Sequence, residues 1–350
     1  MGPCRSDPTV TGEEMTRLVR AIALSIVAVV GGASVAGCGA ARAALGIREA
    51  PKANPASASL TVEQAERILI RDFTAAQPSE TATGAAAKTA LSTAYTGQGL
   101  RAATARVRLA AIQPSSANSP LLAPQKPLLL AVPRGFGYPR VMVAQTVATE
   151  GSLPVLHLLT SPDVATPYRI AASATMLPGS TVKPFDSLSQ GSPLVTDGQV
   201  LAVSDTALLQ AYAEAMAFPA KPVTAPPFAA DPFSSQVRAR AAAVAKSVVT
   251  QAKFSQVHKV IPNTVYAVRQ ANGDALVFGV IVRTDSFAVK SGQAINTVAN
   301  KAFVLLSGKK KVTKSASITT VEFVVFSVPR ETGRATLVAA SEQVVAGSGS

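Results

Sequence analysis

Apolar residues recur along this chain at two different periods, and the periods change in a fixed order. From Thr61 onward, Val62, Ala65, Leu69 and Phe73 repeat at helical spacing, with Glu63, Arg67 and Arg71 on the opposite side. Thr61 with Gln64 three residues on makes a capping-box pattern. A second helical stretch runs from Ala85 to Leu109, with a break at Gly97-Gln98-Gly99. Beyond a Pro/Ser-rich loop (Gln113 to Pro127) the period shortens to two. Pro127 to Pro133, Tyr138 to Thr149, Leu153 to Thr160 and Tyr168 to Met176 are rich in Val and Leu and are separated by turn residues, which predicts strands. VLHLL (Val155 to Leu159) is apolar on both faces, as a central strand is.

The same order then repeats. Ser204 to Phe218 predicts a helix with Leu208, Leu209, Tyr212 and Met216 on one side. A Pro-rich link leads to Asp231, a predicted N-cap with Pro232 at the first helical position. The helix it opens carries Phe233, Val237, Ala241, Val244 and Val248 as an apolar stripe and is read through Lys253, which leaves His258 at a helix end beside Lys259 in a surface or capping role. Val265 to Ala271 and Asp274 to Thr284 flank Asn272-Gly273, a hairpin signal. Ala302 to Ser307, Ile318 to Val328 and Arg334 to Val345 complete the predicted strands.

Helices first and antiparallel strands afterwards, twice over, predict an α+β chain of two tandem domains, residues 59–201 and 202–346, with no βαβ alternation. A helix laid across a curved antiparallel sheet resembles the cystatin-like or NTF2-like superfold, and the resemblance implies that architecture for each half.

The N-terminal pattern is of another kind. Arg17 and Arg20 form a cationic head, and Ala21 to Val30 is an apolar run that Gly31 and Gly32 cut short. A membrane span needs about 20 such residues, so this reads as an export signal, residues 1–37. Val35-Ala36-Gly37-Cys38 resembles the bacterial lipobox, in which the cysteine sulfur receives a diacylglycerol and the chain is cut just before it. Asp7, Glu13 and Glu14 put acidic groups where a signal should be cationic, so Met15 is taken as the true start and Cys4 as an artefact of the upstream stretch. Residues 38–58 then form the lipidated cysteine and a flexible Ala/Pro/Ser tether. The two cysteines of the sequence are thereby accounted for, and the exported chain has no thiol for a disulfide, a nucleophile or a metal. Two acyl chains on Cys38 hold a protein stably at a membrane where one does not. The expected location is the extracytoplasmic face of the cell membrane.

The formal net charge is +13 and is unevenly spread. Between Asp231 and Lys314 there are thirteen Lys or Arg against three Asp. Lys309, Lys310, Lys311 and Lys314, on an expected exposed turn, and Arg238, Arg240 and Lys246 on one helix are candidate contacts for anionic lipids or wall polymers; a solvated face is the other reading. Nucleic acid is not expected as a partner, because the chain is exported, lacks Trp and is only 5% aromatic.

Lipobox, tether and Ala-rich helices together resemble the lipoproteins of high-GC actinobacteria, mycobacterial ones included. PRGFGYPR (Pro133 to Arg140), TPYRIAASATMLPG (Thr166 to Gly179) and the hairpin around Asn272 look like a domain of unknown function from that family. The resemblance implies no catalytic residues and no cofactor. Independent chemistry is sparse. His157 lies inside VLHLL as a core residue, and with only two histidines and no thiol a metal site is not expected. Ser180-Thr-Val-Lys183 and Ser307-Gly-Lys-Lys310 match S-x-x-K, the pattern of peptidoglycan-handling serine enzymes. Ser180 is bracketed by Pro178 and Pro184 and Ser307 lies at an expected strand end, so neither pair can share a helical turn. Three readings stay open: a non-enzymatic lipoprotein that binds a protein partner or supports assembly, a lipoprotein binding an apolar small molecule or lipid, and an envelope hydrolase.

Lipidation is expected to depend on Cys38 alone. Labelled diacylglycerol should enter the wild type, and Cys38→Ala should give an uncut, unlabelled precursor while Cys4→Ala changes nothing; label persisting in the Cys38 variant would sink the lipobox reading.

Overall fold

Capping and periodicity set the helices where they start. The computed structural model describes residues 56–77, 84–110, 112, 127–147, 152–196, 201–221 and 224–350. The signal, Val35, Ala36, Gly37, Cys38 and most of the tether lie outside the described residues. Helix α1 (Val62–Ala76) opens on Thr61, whose hydroxyl accepts from Gln64 N while the Gln64 side chain accepts from Thr61 N. Helices α2 (Gly84–Ala94) and α3 (Gly97–Leu109) are separated at Tyr95 and Thr96, close to the expected break. Strands β1 (Leu128–Ala131), β2 (Arg140–Thr146), β3 (Val155–Ser161) and β4 (Arg169–Met176) follow as an antiparallel meander, with β3 buried along its whole length.

The second half begins with α4 (Asp205–Ala215) and α5 (Pro232–Val248), capped by Ser204 and Asp231. Then come β5 (Ala252–Val260), β6 (Tyr266–Arg269), β7 (Ala275–Val289), β8 (Ile295–Asn296), α6 (Lys301–Ser307), β9 (Lys311–Val312), β10 (Ser315–Val328) and β11 (Thr336–Gly349). Two sequence expectations are corrected here. Ala302 to Ser307 is a helix, because Asn300 accepts from Phe303 N at its start and Gly308, at a positive φ of 71°, ends it. Residues from Ala252 onward leave the helix, because Ala252, Phe254, Gln256 and His258 alternate inward with outward Lys253, Val257 and Lys259. His258 is therefore a buried strand residue and not a helix end.

Among the described residues nine strands form one mostly antiparallel sheet in the order β1-β2-β3-β4-β11-β10-β7-β5, with β6 also on β7. The fold is α+β. Residues 54–350 form one compact unit, and the sheet is continuous across the point where sequence reading divided the chain. The last strand of each half makes the join: Thr175 and Met176 of β4 face Ala340 and Ala339 of β11, a short seam. One core cluster is confined to the first half (Leu69, Leu91, Met142, Leu159, Ile170) and another lies mainly in the second (Leu208, Tyr212, Val277, Phe326). A third draws on both, packing Val143, Leu156 and Ala174 with Phe278, Phe323 and Val325. Helix α3 lies close over β4 because Gly99 lets it: a Cβ there would stand 2.7 Å from the carbonyl oxygens of Ile170 and Ala171.

Candidate functional site

The inward face of the second half changes character along its strands. Near α4 it is apolar, with Ile281, Val324, Phe326 and Ala340 packed under Leu208, Leu209 and Tyr212. One or two strand positions further on, the four long strands β5, β7, β10 and β11 present polar residues to the same side. These are Gln256 and His258 on β5, Arg283 and Asp285 on β7, Thr320 and Glu322 on β10, and Glu342 on β11. Past them the face is apolar again, with Phe254, Phe287 and Ile318.

Hydrogen bonds tie the polar band together. Arg283 Nη1 donates to Glu322 Oε1 at 2.9 Å and to Glu342 Oε2 at 2.8 Å, and Nη2 reaches Thr320 Oγ1 at 3.3 Å. Arg283 Nε lies 3.4 Å from Asp285 Oδ2. His258 Nδ1 is 2.9 Å from Glu322 Oε2, and the Glu322 side chain is fully buried. From α5, Arg240 binds the other oxygen of Glu342, Oε1. Burial opposes the charge on Arg283, but Glu322, Asp285 and Glu342 more than offset it and hold its pKa above the ordinary value. Burial also works against Glu342, and Arg283 and Arg240 outweigh it, keeping that carboxyl below its usual range. Asp285 goes the other way: burial lifts its carboxyl above the usual range despite the neighbouring Arg283.

Above this band α5 and the sheet enclose a cavity of about 290 Å³. Val237, Ala241 and Val244 of α5 and Phe254, Phe287 and Ile318 of the sheet give it apolar walls, while Arg240, Gln256, Arg283 and Asp285 supply its polar groups and Asn300 its rim. Mostly apolar walls with a few polar groups are what small-molecule pockets have, and the volume lies at their lower end.

The residues singled out in the sequence are not brought together. Lys309, Lys310, Lys311 and Lys314 are all exposed around β9, as expected. Lys246 is exposed, Arg238 is half-buried, and Arg240 is exposed while also pairing with Glu342. Ser180 Oγ lies 2.7 Å from both the Leu177 and Val338 carbonyl oxygens, while Lys183 pairs with Asp274. Ser307 Oγ donates to Phe303 O within α6. His157 is fully buried, with Thr146 Oγ1 at 2.8 Å, Ser173 Oγ at 2.9 Å and the Phe73 ring edge-on. Burial pushes its pKa down to about 3, so the ring stays neutral.

A second cavity, about 230 Å³, opens where β4 and β11 part below the seam and is lined by Arg106, Ser173, Thr175, Ser341 and Gln343 among others. Among the described residues no group of three or more His, Cys, Asp or Glu is placed to hold a metal, and no helix is long and apolar enough to cross a membrane. Sequence reading missed Gln256, Arg283, Asp285, Glu322 and Glu342. The available signal was polar residues at i and i+2 interrupting an apolar strand face on β5, β7 and β10 together. No family model matches the chain, and neither a curated protein nor a solved structure matches it.

Removing Arg283 should be far costlier than removing an average buried side chain. Arg283→Met leaves the fully buried Glu322 facing the half-buried Glu342 without the guanidinium between them, and by analogy with other broken buried pairs should cost about 3–5 kcal/mol in urea unfolding. Adding Glu322→Gln should return part of that loss; a double variant no more stable than the single one would mean the bridge does not organise this face.

Proposed function

We propose that this is an exported envelope lipoprotein, anchored at the extracytoplasmic face of the membrane through lipid on Cys38, whose α5 pocket binds a small amphipathic molecule without transforming it. The reading rests on the pocket: apolar walls on three strands and a helix, closed at the bottom by a hydrogen-bonded charge network. Such walls exclude water from a ligand's apolar body, and the few polar groups orient it. Kinship with the actinobacterial lipoproteins carrying a domain of unknown function is part of the same proposal. So is descent of both halves from one helix-then-four-strand unit of the cystatin or NTF2 kind, which the meeting of their last strands, β4 and β11, supports.

The test is native mass spectrometry of the full chain extracted from membranes in mild detergent. A small apolar or amphipathic adduct should accompany the wild type and be lost from Ala241→Phe, which fills the cavity from α5, and from Val244→Phe, in case the first variant packs poorly. A wild type that carries nothing and whose melting no amphiphile raises, or an adduct that both variants retain, would overturn the pocket reading.

The exposed lysines Lys309, Lys310, Lys311 and Lys314 belong to the proposal as a contact for anionic headgroups or wall polymers. At roughly 1 kcal/mol per basic residue near an anionic surface, they should make an unlipidated Cys38→Ala chain co-sediment with phosphatidylglycerol vesicles at low salt and release at high salt. Binding that survives changing all four to Gln would assign the attraction elsewhere.

A further inference from the structure

The charges around the α5 pocket do not balance, and hydrogen-bond chemistry fixes which one is left over. The Met216 carbonyl can only accept, so the Gln256 atom 2.9 Å from it is the amide nitrogen. That nitrogen only donates, so His258 Nε2, 2.9 Å away, accepts from it. The ring proton therefore sits on Nδ1, facing Glu322, and the imidazole is neutral in this arrangement.

Two guanidinium groups, Arg240 and Arg283, then face three carboxyl groups. Glu322 and Glu342 are satisfied by Arg283, Arg240 and His258. Asp285 is not. Among the described residues its Oδ1 is buried without a hydrogen-bond partner, its Oδ2 has only the 3.4 Å approach of Arg283 Nε, and the residue lines the pocket. A buried carboxylate lacking a partner is costly and answers in one of two ways, by taking up a proton or by finding a cation. The upward shift that burial gives Asp285 favours the first response. The cavity wall offers the second.

We infer that the occupant of this pocket is an amphiphile with a cationic, hydrogen-bond-donating head, an alkylammonium, seated on the Asp285 carboxylate with its apolar body against Phe254, Phe287 and Ile318. This rests on the pocket reading and adds the head group to it. A hydroxyl head would satisfy the hydrogen bond and leave the charge uncompensated. An anionic head would meet Asp285 and find both guanidinium groups already on carboxylates, Arg283 on Glu322 and Glu342 and Arg240 on Glu342. The volume, about 290 Å³, holds on the order of ten non-hydrogen atoms at about 30 Å³ each, so eight-carbon probes are the right size.

The experiment is calorimetric titration of the full chain, reconstituted in phosphatidylcholine nanodiscs, with octylamine, 1-octanol and octanoate, each corrected against empty discs. Octylamine should bind at least about tenfold tighter than the other two, the factor expected for one charge-assisted hydrogen bond. Asp285→Asn, with its melting transition checked as a control on folding, should bring octylamine down to the octanol level, and Asp285→Glu should keep the preference. Equal binding of all three probes, abolished by Ala241→Phe, would refute the cationic head and leave the pocket reading standing. Octanoate binding tightest would reverse the inference. No binding of any probe, or binding indifferent to Ala241→Phe, would bring down the inference and the pocket reading together.

Discussion

Arg283 places one guanidinium between two glutamates that the sheet sets face to face, and the second half of the protein is arranged around that fact. Register pairs Glu322 of β10 directly with Glu342 of β11. Like charges opposite one another across antiparallel strands repel, and here they do so with Glu322 fully buried. Arg283, from the neighbouring strand, converts the repulsion into a bridge by donating from one nitrogen to both. Its remaining nitrogens turn to Thr320 and Asp285, and Glu322 and Glu342 turn their other oxygens to His258 and Arg240. Four strands and α5 are thereby tied through one side chain.

Stability alone does not call for such a network. Taking charges out of water costs several kcal/mol each, and well-packed apolar residues of similar volume usually do as well or better. The apolar alternative was close at hand: Ile281, Val324 and Phe326 already pack this face under α4, and Phe254, Phe287 and Ile318 resume it beyond the band. The polar band interrupts a surface that is apolar on both sides, at the level where α5 presents Ala241. A small side chain on the helix and long charged ones beneath it leave a cavity in place of a packed core. Polarity and void occur together, which is the arrangement a recognition site needs and a purely structural core avoids.

Much of the architecture was legible because it depends on local rules. Thr61 and Gln64 close a capping box, Ser204 and Asp231 cap their helices, and the period-two runs from Leu128 to Met176 became four strands. What escaped depends on partners distant in sequence. Helical periodicity ran on from Val248 into Lys253, so β5 and the inward placing of Gln256 and His258 were lost with it. Glu322 and Glu342 read as ordinary strand residues until register sets them opposite one another, and a 39-residue separation hides Arg283 from Glu322. The joining of the halves was equally hidden, because only two residue pairs of β4 and β11 make the seam.

The two histidines show how differently the halves use the same kind of strand. Each lies buried in a strand with both ring nitrogens hydrogen-bonded: His157 to Thr146 and Ser173, His258 to Gln256 and Glu322. His157 has only neutral hydrogen-bond partners and the edge of Phe73 against it, and burial keeps its ring uncharged. His258 passes its hydrogen bond to Glu322, which passes it to Arg283, and that guanidinium ends beside Asp285 at a cavity wall. A neutral ring with both nitrogens hydrogen-bonded holds its strands together and asks for no further partner. A chain of charged groups that ends on a carboxylate with no close partner, in a residue lining a cavity, transmits its imbalance to whatever enters, and on that ground the candidate site is placed in the second half.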